Sequence, residues 1–270
     1  MTNVRLFFVG EDREAESAVS LMHDHNFVTP LSRTVIFCHD GIDTTELGAL
    51  YNNCGIDTTS FTLINDRDFV HIDKVHVHSD WLKQQMIKMF ALDWVDADNI
   101  LIQDADIFPL VPYSWIDRLG AVVPVVQKNN SHAPEYYRYI ERILHIPRQT
   151  SDCFVTDLLP INKQSWNEFK QRVKSIHRTT WWETLQNMMQ ADFDINQSKI
   201  KFSEYELLGN WLTCRSAYNS TIAQVHEVIT RSSTLSISKE TNFISMELWD
   251  AHMNTADIKT LCQDIKRNTP

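Results

Sequence analysis

Short apolar runs rich in β-branched and aromatic residues punctuate the first hundred positions: Val4 to Val9, Thr34 to Cys38 and Phe61 to Ile64. Runs of this length read as buried strands, and their alternation with longer mixed stretches predicts an α/β domain with a mainly parallel sheet. Ser79 is placed to cap a helix in which Trp81, Leu82, Gln85, Met86, Met89 and Phe90 recur at helical spacing, ending near Asp93. A strand over Asn99 to Ile102 follows and runs directly into Gln103, Asp104, Ala105 and Asp106. Ligands of open α/β sheets gather at the carboxyl ends of strands, so a site is expected there.

Past this point the pattern turns more helical. Ala121 to Val126 reads as a strand that Pro124 confines to an edge or a bulge. Capping boxes at Ser165 with Glu168, Thr180 with Glu183 and Ser203 with Glu206 predict three helix starts. Leu235 to Ile237 and Phe243 to Met246 read as late strands. With no repeat, low-complexity tract or flexible junction, the chain reads as a single domain over 1–270.

Composition narrows the class. At 270 residues and 43% hydrophobic content the chain can bury a sizeable core. The acids Glu11, Asp12 and Glu14 follow at once on the first apolar run, unlike a secretory signal. No run approaches the roughly 18 apolar residues of a membrane span, so the expected address is cytoplasmic. Five scattered cysteines without C-x-x-C spacing read as reduced thiols, not as a disulfide framework or a zinc site. The net charge of -10 argues against general nucleic-acid or anionic-membrane binding. Between 121 and 180, however, nine basic residues outnumber five acidic ones and are interleaved with aromatic residues.

The strongest local signal is ILIQDADIFPL, Ile100 to Leu110, where an apolar strand delivers two aspartates one residue apart. Carboxylates at i and i+2 share a strand face, and hard divalent cations such as Mg²⁺ and Mn²⁺ prefer oxygen ligands of that kind. A metal at Asp104 and Asp106 would neutralise a departing diphosphate. A D-x-D after a strand also occurs in haloacid-dehalogenase-like phosphatases, with the first Asp as nucleophile. There the motif lies near the N-terminus and is followed by Thr or Val, where Ile107 stands here. A non-catalytic carbohydrate- or nucleotide-binding module is a third reading.

The segment from His76 to Leu110 resembles the helix, strand and DxD element of GT-A glycosyltransferases. Ser203 to Leu212 (SEYELLGNWL) is similar to a second block of a poorly characterised bacterial and phage branch of that fold. The resemblance implies a GT-A-like α/β fold, a Rossmann-like mainly parallel sheet flanked by helices with a more helical acceptor-side C-terminal half. It divides the chain into a nucleotide-sugar-binding half, 1–126, and an acceptor-binding half, 127–270. It implies a hexosyl- or pentosyltransferase whose donor is a nucleotide sugar, usually a UDP-sugar, with Mn²⁺ or Mg²⁺ on Asp104 and Asp106, Asp104 being also a candidate ribose contact.

The resemblance also implies that Gln84, Gln85 and Lys88, on the helix before the motif, are candidate contacts to the nucleotide or donor sugar, although polar helix positions are also what a solvated face provides. The resemblance implies a further metal-ligating histidine from the C-terminal half, for which His226 and His252 are the candidates. Glu204 and Glu206 are candidates for binding the acceptor, acting as general base or orienting the donor sugar. The same two positions are also explained by a capping box and the helix dipole. Asp152 and Asp157 are alternatives for that role.

Lys170, Lys174, Trp181 and Asp152 are candidates for the acceptor side. The basic, aromatic segment suits an anionic acceptor, a surface polysaccharide or lipid-linked sugar ahead of hydroxymethylated bases of phage DNA. An ordinary solvated Lys/Arg face is the plainer reading of the same residues.

Overall fold

The protein is described from a computed structural model covering residues 1–24, 28–69, 72–77, 79–129, 134–196, 202–224, 226–230, 237–247 and 253–268. In chain order its strands and helices begin β1 (Asn3–Val9), α1 (Glu14–Asp24), β2 (Val28–Thr29), β3 (Arg33–Cys38), α2 (Thr44–Cys54), β4 (Phe61–Asn65), α3 (Asp80–Trp94), β5 (Asn99–Asp104), β6 (Ile107–Pro109), β7 (Tyr113–Ser114) and β8 (Val125–Val126). They continue α4 (Pro134–Leu144), β9 (Leu158–Asn162), α5 (Lys163–His177), α6 (Trp181–Asn196), α7 (Glu204–Cys214), β10 (Ile222–Ala223), β11 (His226–Thr230), β12 (Phe243–Glu247) and α8 (Thr255–Asn268).

The main sheet has the order β4-β3-β1-β5-β9, parallel except for β9, which runs antiparallel to β5. Both faces are covered, which is why the strands read as continuous apolar runs instead of alternating ones. Val4, Leu6, Phe8, Ile100 and Ile102 point to one face and pack with α3, α5 and α7. Phe7, Val9, Ile36 and Cys38 point to the other and pack with α1, α2 and α8. A smaller sheet, β11-β12-β6, extends the region just past the two aspartates.

Ser79 caps α3 as its sequence predicts, accepting from the Leu82 N–H at 3.3 Å. Thr180 and Glu183 form a reciprocal capping box at the start of α6. The helix expected to start at Ser165 instead starts at Lys163. Asn162, the last residue of β9, is its cap and accepts from the Ser165 N–H at 2.7 Å, so strand passes into helix with no loop between. Of the expected strand Ala121 to Val126, Val125 and Val126 pair with β10 immediately after Pro124, and Val122 makes a single antiparallel bridge with Ile116. Phe243 to Met246 falls within β12, while Leu235 and Ser236 lie outside the described residues.

None of the five cysteines forms a disulfide, and all but Cys214 are buried. Among the described residues no helix is long and apolar enough to cross a membrane.

Candidate active site

β1 and β5 are neighbours at the centre of the sheet, with Phe8 opposite Asp104, so the segments that follow them emerge side by side. The turn after β5 is fixed by main-chain bonds: Ala105 N–H donates to Phe8 O at 2.9 Å, and Asp104 N–H to Asp157 O at 3.0 Å. Asp106 O accepts from Met246 N–H at 2.7 Å, which ties the turn to β12. Above these strand ends opens a cleft of about 440 Å³ lined by Phe8, Gly10 to Arg13, Trp81, Gln84 and Asp104 to Asp106.

A second cleft of like volume opens at the amino-terminal edge of the sheet, beside Arg5, Arg33 and Phe61. It lacks the converging carboxylates. The position of the first matches where α/β sheets hold ligands.

Asp104 is gripped from beneath. Lys88 Nζ lies 2.7 Å from its Oδ1 and 2.8 Å from its Oδ2, and also 2.9 Å from Glu204 Oε1. Lys88 is 1% exposed and Glu204 0%. Burial by itself would lower the Lys88 pKa, but Asp104 and Glu204 outweigh it and hold the ammonium above its ordinary value. Gln85, oriented by its hydrogen bonds, donates its amide to Glu204 Oε1 at 2.9 Å. The Lys88 ammonium also stands 4.6 Å from the centre of the Tyr205 ring. Asp104 Oδ1 is buried against the Lys88 ammonium, while the carboxylate as a whole opens to the cleft.

Asp106 is less enclosed, its side chain being 28% exposed, and the Arg13 guanidinium stands 3.9 Å away. Arg13 is held by Glu16 at 3.0 Å and by the Met246 carbonyl at 3.1 Å. The position of Asp106 low in the cleft, together with repulsion from Asp104, pushes its carboxyl up to about 6. A third carboxyl, Asp157, is raised well above the usual range by burial and by Asp106 and Asp104. Its backbone takes φ +58, a left-handed conformation that an aspartate tolerates better than most residues.

The block Ser203 to Leu212 forms the start of α7, with Ser203 as cap. Glu206 does not complete a capping box: it accepts from Phe154 N–H at 3.1 Å and from the Asn210 amide at 3.0 Å. Asn210 Oδ1 in turn accepts from Gln149 N–H at 2.8 Å. Gly209 faces the Phe154 ring so closely that a Cβ there would come within 2.1 Å of Cγ. This block therefore braces the segment from His145 to Asp157, and Glu204 and Glu206 lie beneath the cleft without lining it.

The other predicted residues are distributed as follows. Gln84 lines the cleft, whereas Gln85 and Lys88 are buried, not a solvated face. Lys170 pairs with Asp93, and Trp181 donates its indole N–H to the same carboxylate at 3.1 Å. Asp93 lies five residues beyond Lys88, roughly 7 Å along α3 and away from the strand ends. Lys174 is exposed on α5. Asp152 pairs with Lys128 at 2.8 Å. His252 and the side chain of His226 lie outside the described residues.

Most of the basic segment is also engaged. Arg142 pairs with Asp192, while Arg148, Lys163 and Arg172 donate to main-chain carbonyls. Arg138, Lys174 and Arg178 remain exposed.

Residues that the sequence reading missed are Gly10 to Arg13, Trp81 as a cleft wall, and Asp66 with His39 beside it. All but Trp81 follow the ends of β1, β3 or β4, so the rule that selects Asp104 would also have selected them.

Fold and site together define an α/β protein with an acidic, lysine-braced cleft at the strand ends of a Rossmann-like sheet. The chain belongs to the family of unknown function DUF6492, which matches residues 30–260. No curated protein matches it. Among solved structures it is similar to that of an active-site mutant of LgtC, with a TM-score of 0.49 and 10% identity over 98% of this chain and 95% of that one. At that level of likeness neither substrate nor mechanism transfers.

Proposed function

We propose that this protein is a metal-dependent glycosyltransferase of GT-A-like architecture, moving a sugar from a nucleotide diphosphate sugar, a UDP-sugar first, to an anionic acceptor. Residues 1–126 serve the donor and 127–270 the acceptor, as one domain. The observation that carries this reading is the charge of the cleft: Glu11, Asp12, Asp104 and Asp106 face it against Arg13 alone among its lining residues. A diphosphate entering such a cleft would be repelled unless a divalent cation came with it.

Asp104 and Asp106 are the residues that would hold Mn²⁺ or Mg²⁺. No group of three His, Cys, Asp or Glu suited to a metal occurs among the described residues, so the remaining ligands would be phosphate oxygens and water, as suits Mg²⁺. The raised Asp106 and Asp157 carboxyls fit an added positive charge. When bound, the cation would stabilise negative charge on the departing diphosphate.

The chain's own residues do the rest. Lys88 and Glu204 hold Asp104 in one position, Arg13 approaches Asp106, and Trp81 and Gln84 wall the cleft. Glu204 and Glu206 act by positioning. The acceptor side would use the exposed Lys174 and Arg178, and a surface polysaccharide or lipid-linked sugar is preferred to DNA because the chain is net negative.

The test is slow hydrolysis of a panel of nucleotide sugars with and without Mn²⁺. Sugar release that depends on Mn²⁺ is expected. Phosphate release from simple phosphomonoesters would favour a phosphatase, and no turnover of either kind would leave a binding module.

A further inference from the structure

The second cleft lies at the end of β1 opposite the aspartates, and its volume of about 440 Å³ falls among small-molecule sites, which run from about 300 to 1,000 Å³. Four stretches of chain build it: the end of α1, the segment entering β3, the end of α2 with its cap, and the start of β4. Among its lining residues Leu21, Cys54 and Ile56 are buried, and Met22, Leu31 and Phe61 are half-buried. Ser32, Arg33, Asp57 and Ser60 are exposed and give it a polar rim.

Charge separates this cleft from the first. Its charged lining residues are Arg5, Arg33 and Asp57. The Asp57 carboxylate is engaged in its own turn, where Oδ1 accepts from the Thr59 N–H at 3.0 Å and from the Thr59 hydroxyl at 2.6 Å. Arg5 is 2% exposed and is oriented by Thr34 Oγ1 at 3.3 Å and Gln103 Oε1 at 3.4 Å. Arg33, the first residue of β3, is exposed, and its side chain makes no ion pair or hydrogen bond with any described residue. A guanidinium presents donors in a fork that matches a carboxylate or phosphate. In a chain of net charge -10 most of the surface repels anions, so an unengaged arginine beside an apolar cleft marks a place where one can dock.

We propose that this cleft is a second binding site, which takes a small amphipathic anion with its carboxylate or phosphate head on Arg33 and its apolar body against Leu21, Ile56 and Phe61. The occupant is a single soluble molecule, because none of the apolar residues of the cleft stands exposed to meet a lipid surface. Arg5 and Gly10 are five residues apart along β1 and its end, roughly 16 Å at the rise of a strand, so both clefts can be filled at once. The inference does not depend on the nucleotide-sugar reading.

The experiment is isothermal titration of the whole protein with octanoate and octyl phosphate, with acetate as the head alone and octanol as the body alone. Octanoate or octyl phosphate is expected to bind saturably at one site, with acetate and octanol about tenfold weaker or more, as the loss of a charge-assisted hydrogen bond or of the apolar contact requires. Arg33→Ala, a change at an exposed position that leaves the fold intact, should weaken the two anions about tenfold and leave octanol unchanged. Leu31→Ser should weaken the anions and octanol alike. Octanol binding as tightly as octanoate, or an affinity for both anions that Arg33→Ala does not alter, would overturn the anionic head. No saturable binding of either anion would overturn the site. Co-sedimentation with phosphatidylglycerol vesicles that Arg33→Ala abolishes, without binding of the soluble amphiphiles, would identify a membrane contact in its place.

Discussion

Lys88 keeps its charge almost entirely out of solvent, and the two carboxylates it contacts differ in kind: Glu204 is buried, Asp104 opens to the cleft. Removing one member of a buried ion pair leaves the other uncompensated, a loss of about 3–5 kcal/mol, whereas removing both charges is often nearly neutral. Lys88→Met should therefore unfold at markedly lower urea concentration, and Lys88→Met with Glu204→Gln should recover a large part of the loss. Equal midpoints for the single and double variants would show that the pair is not coupled.

Asp66 gives a second test at this scale. Burial pushes its carboxyl up to about 7, with Lys83 and His39 partly opposing. A carboxyl raised by folding contributes stability at low pH that is lost as pH climbs from about 4 through about 7, with a ceiling of about 4 kcal/mol for a shift of this size. His23 works the other way: burial lowers it to about 4, so its contribution is present above about 6.5 and lost as pH falls towards 4. The two offset each other in the wild-type profile. The difference between Asp66→Asn and wild type isolates Asp66, and the variant's advantage in urea midpoint should grow from near zero at pH 4 to its maximum by pH 8. A gap that shrinks with pH would refute the assignment.

At the scale of elements, α7 supports the site without lining it. Its Glu206, Gly209 and Asn210 hold the segment that ends at Asp157, whose carbonyl receives the Asp104 N–H. Gly209→Ala would force a methyl into the Phe154 ring, and overpacking of that kind costs roughly 1–3 kcal/mol. The expected outcome is a lower melting temperature together with weaker Mn²⁺ binding, although residue 209 does not line the cleft. An unchanged melting temperature and unchanged Mn²⁺ binding would mean that the ring moves aside freely.

The strands of the main sheet were legible because burial on both faces leaves unbroken apolar runs, and α3 was legible from its cap and spacing. The burial of its polar face was not, since Gln85 and Lys88 are paid for by Glu204, a residue more than a hundred positions away that no local pattern reveals. The same holds for Ser203 and Glu206, which look like a capping box until Phe154 and Asn210 compete for the glutamate. Lys170 and Trp181 looked available for an acceptor because Asp93, their common partner, sits on a different helix.

Across the whole molecule, the parallel order of β3, β1 and β5 brings three strand ends to one edge, and the groups that follow them line one continuous cleft. β12 closes its outer side by bonding the Asp106 carbonyl and carrying the carbonyl that holds Arg13. The function proposed for the molecule turns on a cation seated at Asp104 and Asp106. Titration of Mn²⁺ followed by electron paramagnetic resonance tests that seat without substrate or turnover. The wild-type protein is predicted to take up one Mn²⁺ in the presence of UDP, and Asp106→Ala, still folded by circular dichroism, to leave the ion free in solution. Uptake of one equivalent by both proteins with equal affinity would contradict the account.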